Sequence, residues 1–282
     1  MAINAGFMGI AKLGSDYLRF ENANVSAKQE LITKDLAMGD WDIDSYAYGP
    51  ISLGGTISGP MDEAFSSGIL TWAASRSSPC GSLTSRVADI YYFCGGASET
   101  GGFSHAQFSS MLANNISISA TAGDIVQWNM ELIGSGLPTF DNANSPSLTT
   151  ARKLLTWEKL NLTISGGAVT FAAGALFQSF NIQISNNVTM VYSLGQSNLY
   201  PAQLIVGPRK ISGSITVYNI SGTGAPIRYD DYAAATTSTL TWLGNATKVQ
   251  FHRPDPTASA GPITSTINFT GVTHQSGGIW GS

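Results

Sequence analysis

The segment Ser179-Phe-Asn-Ile-Gln-Ile-Ser185 decides the fold class, because its apolar residues alternate strictly with polar ones. Phe180, Ile182 and Ile184 fall on one side of this pattern. Successive side chains of a β-strand point to opposite faces of the sheet. The segment therefore predicts a strand with one buried face and one polar face.

The same alternation recurs along the chain and predicts a mainly β fold of antiparallel strands. In Ile211-Ser-Gly-Ser-Ile-Thr-Val-Tyr218, the positions on the apolar face are Ile211, Gly213, Ile215 and Val217. Further alternating stretches are Leu160-Asn-Leu-Thr-Ile164, residues 126–132 and residues 263–270. One or two helices packed on such antiparallel sheets would give an α+β or mainly β fold.

Two stretches have helical spacing instead. The first covers residues 62–76, where acidic residues open the first turn and an apolar stripe follows at Phe65, Ile69 and Trp72. The second covers residues 104–114, with Phe108 and Leu112 on one face.

The chain also repeats itself at an offset of 158 residues. Tyr48-Gly-Pro-Ile-Ser-Leu-Gly-Gly-Thr-Ile-Ser58 aligns with Val206-Gly-Pro-Arg-Lys-Ile-Ser-Gly-Ser-Ile-Thr216. Gly55 and Ile57 of the first copy are identical to Gly213 and Ile215 of the second. This repeat predicts two related tandem domains, residues 1–135 and 148–282, joined by a Pro/Asn/Ser-rich linker at 136–147.

The polar surface is built from hydroxyls and amides rather than charges. Only 11% of the 282 residues are charged, whereas Ser and Thr number 34 and 25, and the net charge is −4. Hydroxyl and amide groups cost little to bury when they can form hydrogen bonds, so this surface suits contact with copies of the same chain. No run of Lys or Arg is present, which disfavours tight binding to a phosphate backbone.

Targeting and cysteine patterns favour a protein made in a cytoplasm. The first residues lack the basic region of a signal peptide, and no stretch of about 18 apolar residues predicts a membrane span. Cys80 and Cys94 lie 14 residues apart without metal-ligand spacing, and a reducing compartment disfavours a disulfide between them.

No group of residues predicts catalysis, a cofactor or a metal. His105, His252 and His274 lie in unrelated contexts, and nucleophile-elbow and phosphate-loop motifs are missing from the sequence. The GDWDID stretch lacks the later Gly and Glu of a calcium loop, so a solvated acidic loop is the better interpretation. The tryptophans lie mostly on apolar faces, which favours core positions over a sugar-binding platform.

Two adjoining segments carry a family resemblance. Phe180-Asn-Ile-Gln-Ile-Ser-Asn-Asn-Val-Thr-Met-Val-Tyr-Ser-Leu-Gly195 is followed by Tyr200-Pro-Ala-Gln-Leu-Ile-Val-Gly-Pro-Arg-Lys-Ile-Ser-Gly-Ser-Ile-Thr-Val-Tyr218. This strand, Asn-Asn turn, Leu-Gly loop and Gly-Pro turn into a further strand resembles the tail tube proteins of tailed bacteriophages, in a tandem-duplicated form. The first half echoes the pattern through residues 49–60.

The resemblance implies two related β-sandwich or half-barrel domains with one or two flanking helices. It also implies a structural virion protein that is assembled in the host cytoplasm. Its copies would form rings of trimers or hexamers that stack into the tail tube, and genome DNA would pass through without specific binding. Other tail proteins would be partners: a tape measure, a baseplate, a terminator and, in a contractile tail, a sheath. Ring-to-ring contacts would lie in the loops at residues 28–46 and 192–200, including Asp40, Trp41, Asp42, Asp44, Leu194, Gly195 and Tyr200. The barrel strands of the ring would carry Phe180, Ile182, Ile184, Ile211, Gly213, Ile215, Val217, Gly55 and Ile57.

Two alternatives remain open at this point. A baseplate hub or distal tail ring protein would share the domain but stop at one ring. A secreted carbohydrate-binding or adhesin-like β-sandwich would be a monomer, with a disulfide between Cys80 and Cys94 and exposed tryptophan near an acidic loop. An enzyme would need a clustered acid pair that the sequence does not display.

Overall fold

The fold is mainly β, as the alternation predicted, and its strands pair antiparallel. The computed structural model describes residues 9–34, 45–62, 69–70, 72–73, 83–91, 105–141, 153–166, 169–171, 175–195, 199–219, 227–229, 237–243, 245–252 and 263–272. Within these ranges the strands are β1 Gly9–Leu13, β2 Asp16–Phe20, β3 Asn22–Lys34, β4 Ser45–Pro60, β5 Arg86–Tyr91, β6 His105–Thr121, β7 Gln127–Gly134, β8 Pro138–Asp141, β9 Thr163–Ser165, β10 Val169–Phe171, β11 Ala175–Ser185, β12 Val188–Val191, β13 Gln203–Val206, β14 Lys210–Asn219, β15 Ile227–Tyr229, β16 Ser238–Trp242, β17 Asn245–Phe251 and β18 Ile263–Gly271.

One sheet takes strands from both halves of the chain. Along it, β3, β4, β7 and β6 of the first half are followed by β11, β14, β18, β17, β16 and β9 of the second. The halves meet where Ser179–Ser185 of β11 pairs with residues 115–121 of β6. Hydrogen bonds therefore run without a break from the first half into the second.

Each half places its strands in the same spatial order. The first half reads β3-β4-β7-β6-β5-β1, and the second reads β11-β14-β18-β17-β16-β9. In the first half, the second strand of the series, β4, contains the whole repeated segment at residues 48–58. In the second half the segment begins at Val206, the last residue of β13, and continues through Gly207 and Pro208 into β14. Within the predicted linker, Pro138–Asp141 forms strand β8, which pairs with β6. Residues 142–152 lie outside the described ranges.

The apolar faces of these strands join in one core that both halves share. Trp128 and Met130 of β7 lie in it with Ile182 of β11, Ile215 of β14 and Phe269 of β18, all almost fully buried. Burial of alternate residues on adjacent strands is what the period-two pattern of the sequence requires. The opposite face of the same strands is therefore left to the Ser, Thr, Asn and Gln residues.

The predicted helix at 104–114 is wrong, because residues 105–121 form strand β6. The prediction placed Phe108 and Leu112 on one face, but Phe108 packs in the shared core whereas Leu112 belongs to a separate small cluster with Leu83 and Val188. A β-bulge separates them: Phe108 and Met111 pair with Ala88 and Arg86, so that two residues of β6 face one of β5. Ser110, inside the bulge, has a positive φ of 54°.

The helix predicted at 62–76 is present at four of its described residues. Residues 69–70 and 72–73 are helical, and Ile69 and Trp72 are buried as the apolar stripe required. Asp62 is not in a first turn, because it forms a β-bridge with Leu154. The backbone just before it is also engaged, since Leu155 N–H donates to the Met61 carbonyl at 2.8 Å. Phe65 lies outside the described residues.

The strand predicted at 160–164 starts later for a similar local reason. Trp157–Leu160 is a 3₁₀ helix that ends at Asn161, a residue in the left-handed conformation with φ of 48°. Strand β9 follows at Thr163–Ser165 and pairs with β16. Leu160 is buried at the end of the 3₁₀ helix and not as the first residue of a strand.

The repeated glycines occupy equivalent positions where a side chain does not fit. Gly55 lies between Val25 and Leu132, and a Cβ there would overlap the carbonyl of Asn24. Gly213 lies between Ile182 and Phe269, and its Cβ would overlap the Asn181 carbonyl and the Phe269 ring. The repeat thus preserves a close approach of neighbouring strands in both halves.

We expect Gly213→Ala to lower the free energy of unfolding by about 1–3 kcal/mol, because the added methyl group overpacks the sheet against Phe269. Denaturant unfolding followed by circular dichroism measures this. Ser214→Ala is the control, since Ser214 lies on the polar face of the same strand, and we expect a change within about 0.5 kcal/mol. Equal effects of the two substitutions would contradict the steric account.

Candidate self-assembly surface

The face of the sheet opposite the core is an ordered array of uncharged polar side chains. Strand registers align one row across eight strands. Its members are Asn22, Ser58, Asn129, Ser117, Gln183, Ser212, Thr270 and Gln250. A second row contains Gln127, Ser119, Asn181, Ser214 and Asn268. We call these rows, with the next row toward the Asn115 end of the face, the polar face.

Charge enters the polar face in the third row. Its members are Asn24, Thr56, Glu131, Asn115, Ser185 and Lys210. Glu131 accepts a hydrogen bond from Asn114 Nδ2 at 3.0 Å. Lys210 lies at the first residue of β14. Lys248 of β17 lies on the same side of its strand as Gln250, and its carbonyl accepts from Val272 N–H at 2.8 Å where this row continues from β18 to β17. The polar face therefore carries one acid and two bases, namely Glu131, Lys210 and Lys248.

Strand β3 forms an edge of this sheet among the described residues, because β4 is the strand that pairs with it there. The side of β3 that faces away from β4 presents backbone donors and acceptors along Asn-Ala-Asn-Val-Ser-Ala, residues 22–27. Natural proteins usually block such edges with Lys, Pro or a bulge. These six residues contain no Lys or Pro, and the β3–β4 bulge comes later, between Gln29 and Leu31. The edge is thus open to pairing with another strand.

Beyond this bulge, β3 and β4 continue as a long hairpin that we call the first arm, residues 28–34 with 45–52. Its side chains are unusually apolar for an exposed element. Leu31 is 57% exposed, Ile32 52% and Tyr48 63%. Leu31 pairs with Tyr48, so these two share one face, and Ile32 lies on the other. An exposed apolar face of this kind marks a contact surface.

The second half has a corresponding hairpin, the second arm, formed by β12 and β13. Unlike the first arm, it packs on the sheet. Val188 is 7% exposed in a small cluster with Leu83 and Leu112, against which Leu204 and Val206 also pack.

Hydrogen bonds of Asn114 and Asn186 hold the second arm at its base. Val188 N–H donates to Asn114 Oδ1 at 2.8 Å, and Asn186 N–H donates to the Asn114 carbonyl at 2.7 Å. Asn186 is almost fully buried, and its Nδ2 donates to the carbonyls of Ala73 and Ala113 at 2.8 and 2.9 Å. One amide thus joins the second half to both the helical segment and β6 of the first half.

The tip of the second arm reaches the first arm. Ile51 N–H donates to the Leu199 carbonyl at 2.8 Å, and Tyr192 donates its hydroxyl hydrogen bond to the Ile51 carbonyl at 3.1 Å. Partial burial, reinforced by the Glu30 carboxylate, raises the pKa of Tyr192 above its ordinary value. The hydroxyl therefore stays protonated and remains a donor at neutral pH.

The predicted loop residues separate into two groups. Leu194 and Gly195 form an exposed turn after β12, Gly195 has φ of 80°, and Tyr200 is half-buried near the start of β13. Asp40, Trp41, Asp42 and Asp44 lie outside the described residues, between the two strands of the first arm.

The predicted barrel residues lie together on the sheet. Seven of them are buried in the shared core, namely Phe180, Ile182, Ile184, Ile211, Ile215, Val217 and Ile57. Gly55 and Gly213 are the repeated glycines of β4 and β14. These residues support the polar face from behind.

Sequence reasoning missed a polar cluster around His105 at the far end of β6. His105 Nδ1 lies 2.7 Å from Asp141 Oδ1, its Nε2 lies 3.3 Å from Asp89 Oδ1, and its ring stacks on Tyr91 at 4.5 Å. Burial, and then the Asp89 carboxylate, raise the pKa of Tyr91. Asp89 and Asp141 are 16 and 36 residues from His105, so no local motif announces the cluster. No three His, Cys, Asp or Glu side chains in the described ranges could hold a metal ion.

The adhesin alternative expects exposed tryptophan near an acidic loop, so the exposure of each described tryptophan is relevant to it. Trp72, Trp128 and Trp242 are buried, whereas Trp157 in the 3₁₀ helix is 43% exposed. Trp41, Trp280, Cys80 and Cys94 lie outside the described residues.

Comparison with known proteins identifies one family. The model of the family described as phage tail tube protein matches residues 4–271, which is nearly the whole chain. Comparison with curated proteins gives no match. Over the described part of the chain, no helix has the length and apolar character needed to cross a membrane.

We expect Asn186→Ala to lower the free energy of unfolding by about 1–3 kcal/mol, because it leaves the Ala73 and Ala113 carbonyls buried without that donor. Asn181→Ala is the control, since Asn181 lies exposed on the polar face of β11. Thermal or denaturant unfolding distinguishes the two. If both variants are as stable as the parent, Asn186 does not fasten the halves together.

Proposed function

The chain belongs to the phage tail tube protein family, and on that basis we propose that it self-assembles into stacked rings that form the conduit for genome delivery. Membership makes it a structural protein of the virion tail. The rings, the conduit and assembly in the host cytoplasm are the proposal. Proteins of the tape measure, baseplate, terminator and sheath are the tail components that a tube would contact.

The observation that carries this proposal is the continuous polar face. Rows of hydroxyl and amide side chains, aligned by the backbone pairing of the strands, extend across eight strands drawn from both halves of the chain. At one side the sheet ends in the open edge of β3. A sheet with this construction can continue from one copy into the next, so that a closed ring has one uninterrupted inner face.

The repeated strand order supports a duplicated chain and a trimeric ring. Each half contributes an equivalent set of strands, β3-β4-β7-β6 and β11-β14-β18-β17. Three chains would therefore present six similar sets around a ring. If one half alone supplied the inner strands, six chains would be needed, and the ring would be a hexamer.

The charge of the polar face suits passage of DNA. Affinity for duplex DNA depends on Lys and Arg that neutralise phosphates and release counterions. On the polar face, Glu131 offsets one of the two bases, Lys210 and Lys248, and Lys248 Nζ donates to Thr239 Oγ1 at 2.8 Å. DNA would find hydrogen-bonding groups there but no cluster of cations to hold it.

The first test is negative-stain electron microscopy of the purified protein at neutral pH. We expect tubes or stacked rings of uniform width, and native mass spectrometry of released rings then decides between trimer and hexamer. Single rings that do not stack would favour the baseplate hub or distal ring alternative. Particles that contain a single chain even at high protein concentration would contradict the proposal and favour the adhesin-like monomer.

A second prediction concerns the inner surface. We expect the double variant Asn181→Lys, Ser214→Lys to assemble normally but to retain linear DNA at about 50 mM salt and release it at about 200 mM, since adjacent cations contact phosphates. The control is Asn181→Gln, Ser214→Thr, which changes size without adding charge. DNA retention by assembled tubes is measured by co-sedimentation. If the lysine variant retains no more DNA than the control, this face does not line the channel.

A further inference from the structure

The repeat can be followed residue by residue through the strand registers. Gly55 pairs with Val25, and Gly213 pairs with Ile182. Moving seven residues back along β4 and six forward along β3 leads from the first pair to Tyr48 and Leu31. The same steps in the second half lead to Val206 and Val188. Leu31 and Tyr48 of the first arm therefore correspond to Val188 and Val206 of the second arm.

Equivalent residues have opposite exposure in the two arms. Val188 is 7% exposed, and Val206 packs against the same small cluster. Leu31 and Tyr48 are 57% and 63% exposed. The larger apolar side chains are the ones left in solvent, which is the reverse of what a lone chain would favour.

The surface that receives the second arm also has a counterpart. It is built on Leu112 of β6, paired with Ile133 of β7, one residue beyond the Met111–Gly134 pair. In the second half, Val249 of β17 pairs with Gly271 of β18, and one residue further Gln250 pairs with Thr270. Both Gln250 and Thr270 are exposed and uncharged, and they lie at the β17–β18 end of the first row of the polar face. Docking there would cover this end of the row and leave the rest of the polar face to line the ring.

The open edge of β3 also has a counterpart in the second half of the chain. Its counterpart β11 pairs on one side with β14 and on the other with β6 of the first half. Residues 22–28 of β3 correspond to Ser179–Ser185, the stretch of β11 that pairs with β6. Within the chain, β3 has β4 on one side and no described strand on the other.

We propose that Leu31 and Tyr48 of the first arm, together with the open edge of β3, dock on the second half of another copy at Gln250 and Thr270. The contact repeats between chains the way in which the second arm and β11 already dock on the first half within the chain. The inference rests on the proposed self-assembly and specifies the surfaces that close the ring. The occupant is a second copy of this chain, because the intrachain interface supplies the template.

The chemistry of the two surfaces is compatible with this docking. Leu31 and the Tyr48 ring bury apolar area, and the Tyr48 hydroxyl can form a hydrogen bond with the amide of Gln250 or the hydroxyl of Thr270. Lys28 lies at the end of the open edge, and His252 Nε2 lies 2.7 Å from Thr270 Oγ1 beside the receiving surface. No carboxylate lies among residues 22–28, Leu31, Tyr48, Gln250 and Thr270. The backbone groups of residues 22–28 gain partners that an exposed edge does not have.

The test compares Leu31→Asp with Ile32→Asp, two adjacent exposed residues on opposite faces of the first arm. We expect Leu31→Asp to lower the fraction of protein in rings by about tenfold or more, since docking would bury an unpaired carboxylate. Ile32→Asp should leave the rings intact, because its counterpart Thr189 stays exposed on the second arm. Native mass spectrometry measures the ring fraction, and the melting temperature of each isolated chain shows whether the fold is preserved.

A second measurement locates the contact directly. A photo-cross-linking amino acid at position 48, in a mixture of isotopically light and heavy chains, should join light to heavy peptides that contain Gln250 or Thr270. Rings that survive Leu31→Asp, or cross-links to any other surface, would overturn this interface while leaving the ring proposal standing. A parent protein that forms no rings at all would instead refute the proposed function.

Discussion

The structure depends on the pairing of β6 with β11, where seven residues of the first half meet seven of the second. Backbone N–H and C=O groups must find partners when they are buried, and here each half supplies them to the other. Ile116 and Ile118 of β6 face the same core as Ile182 and Ile184 of β11. Because of this ladder, the core, the polar face and the strand order are continuous across the whole chain.

That pairing also explains why the two arms differ. The second arm follows directly from β11, so it is carried onto β6, where Asn114 and Asn186 fasten it. The first arm follows from β3, which has no equivalent of β6 beside it among the described strands. Its apolar face is consequently exposed in the isolated chain. The two arms differ in exposure because β3 lies at an edge of the described sheet whereas β11 lies inside it. No difference between the arms themselves is required.

The small number of charged residues in the chain is related to the composition of the polar face of the sheet. A solvated strand face is usually protected by Lys and Glu, which oppose edge-to-edge association. Here the face carries hydroxyl and amide groups in register, and an edge without Lys or Pro lies at its margin. The same composition is compatible with pairing between copies and with a surface that does not hold phosphates. Membership of a tail tube family accords with both properties.

The sequence by itself determined the strand-forming segments, the repeat and the family, because period-two alternation and the matched Gly-Pro segments are local signals. It determined which residues of β11 and β14 are buried, since register within a strand follows from its pattern. It misled at β6, where Phe108 and Leu112 have helical spacing but pack in different clusters of a bulged strand, and at Asp62, whose backbone forms an isolated bridge with the distant Leu154. Only the tertiary structure decided that the halves share one sheet, that His105 lies between two carboxylates, and that Val188 is covered while Leu31 is not. These are contacts between residues far apart in the chain, and no periodicity within a segment specifies which strand edge will find a partner.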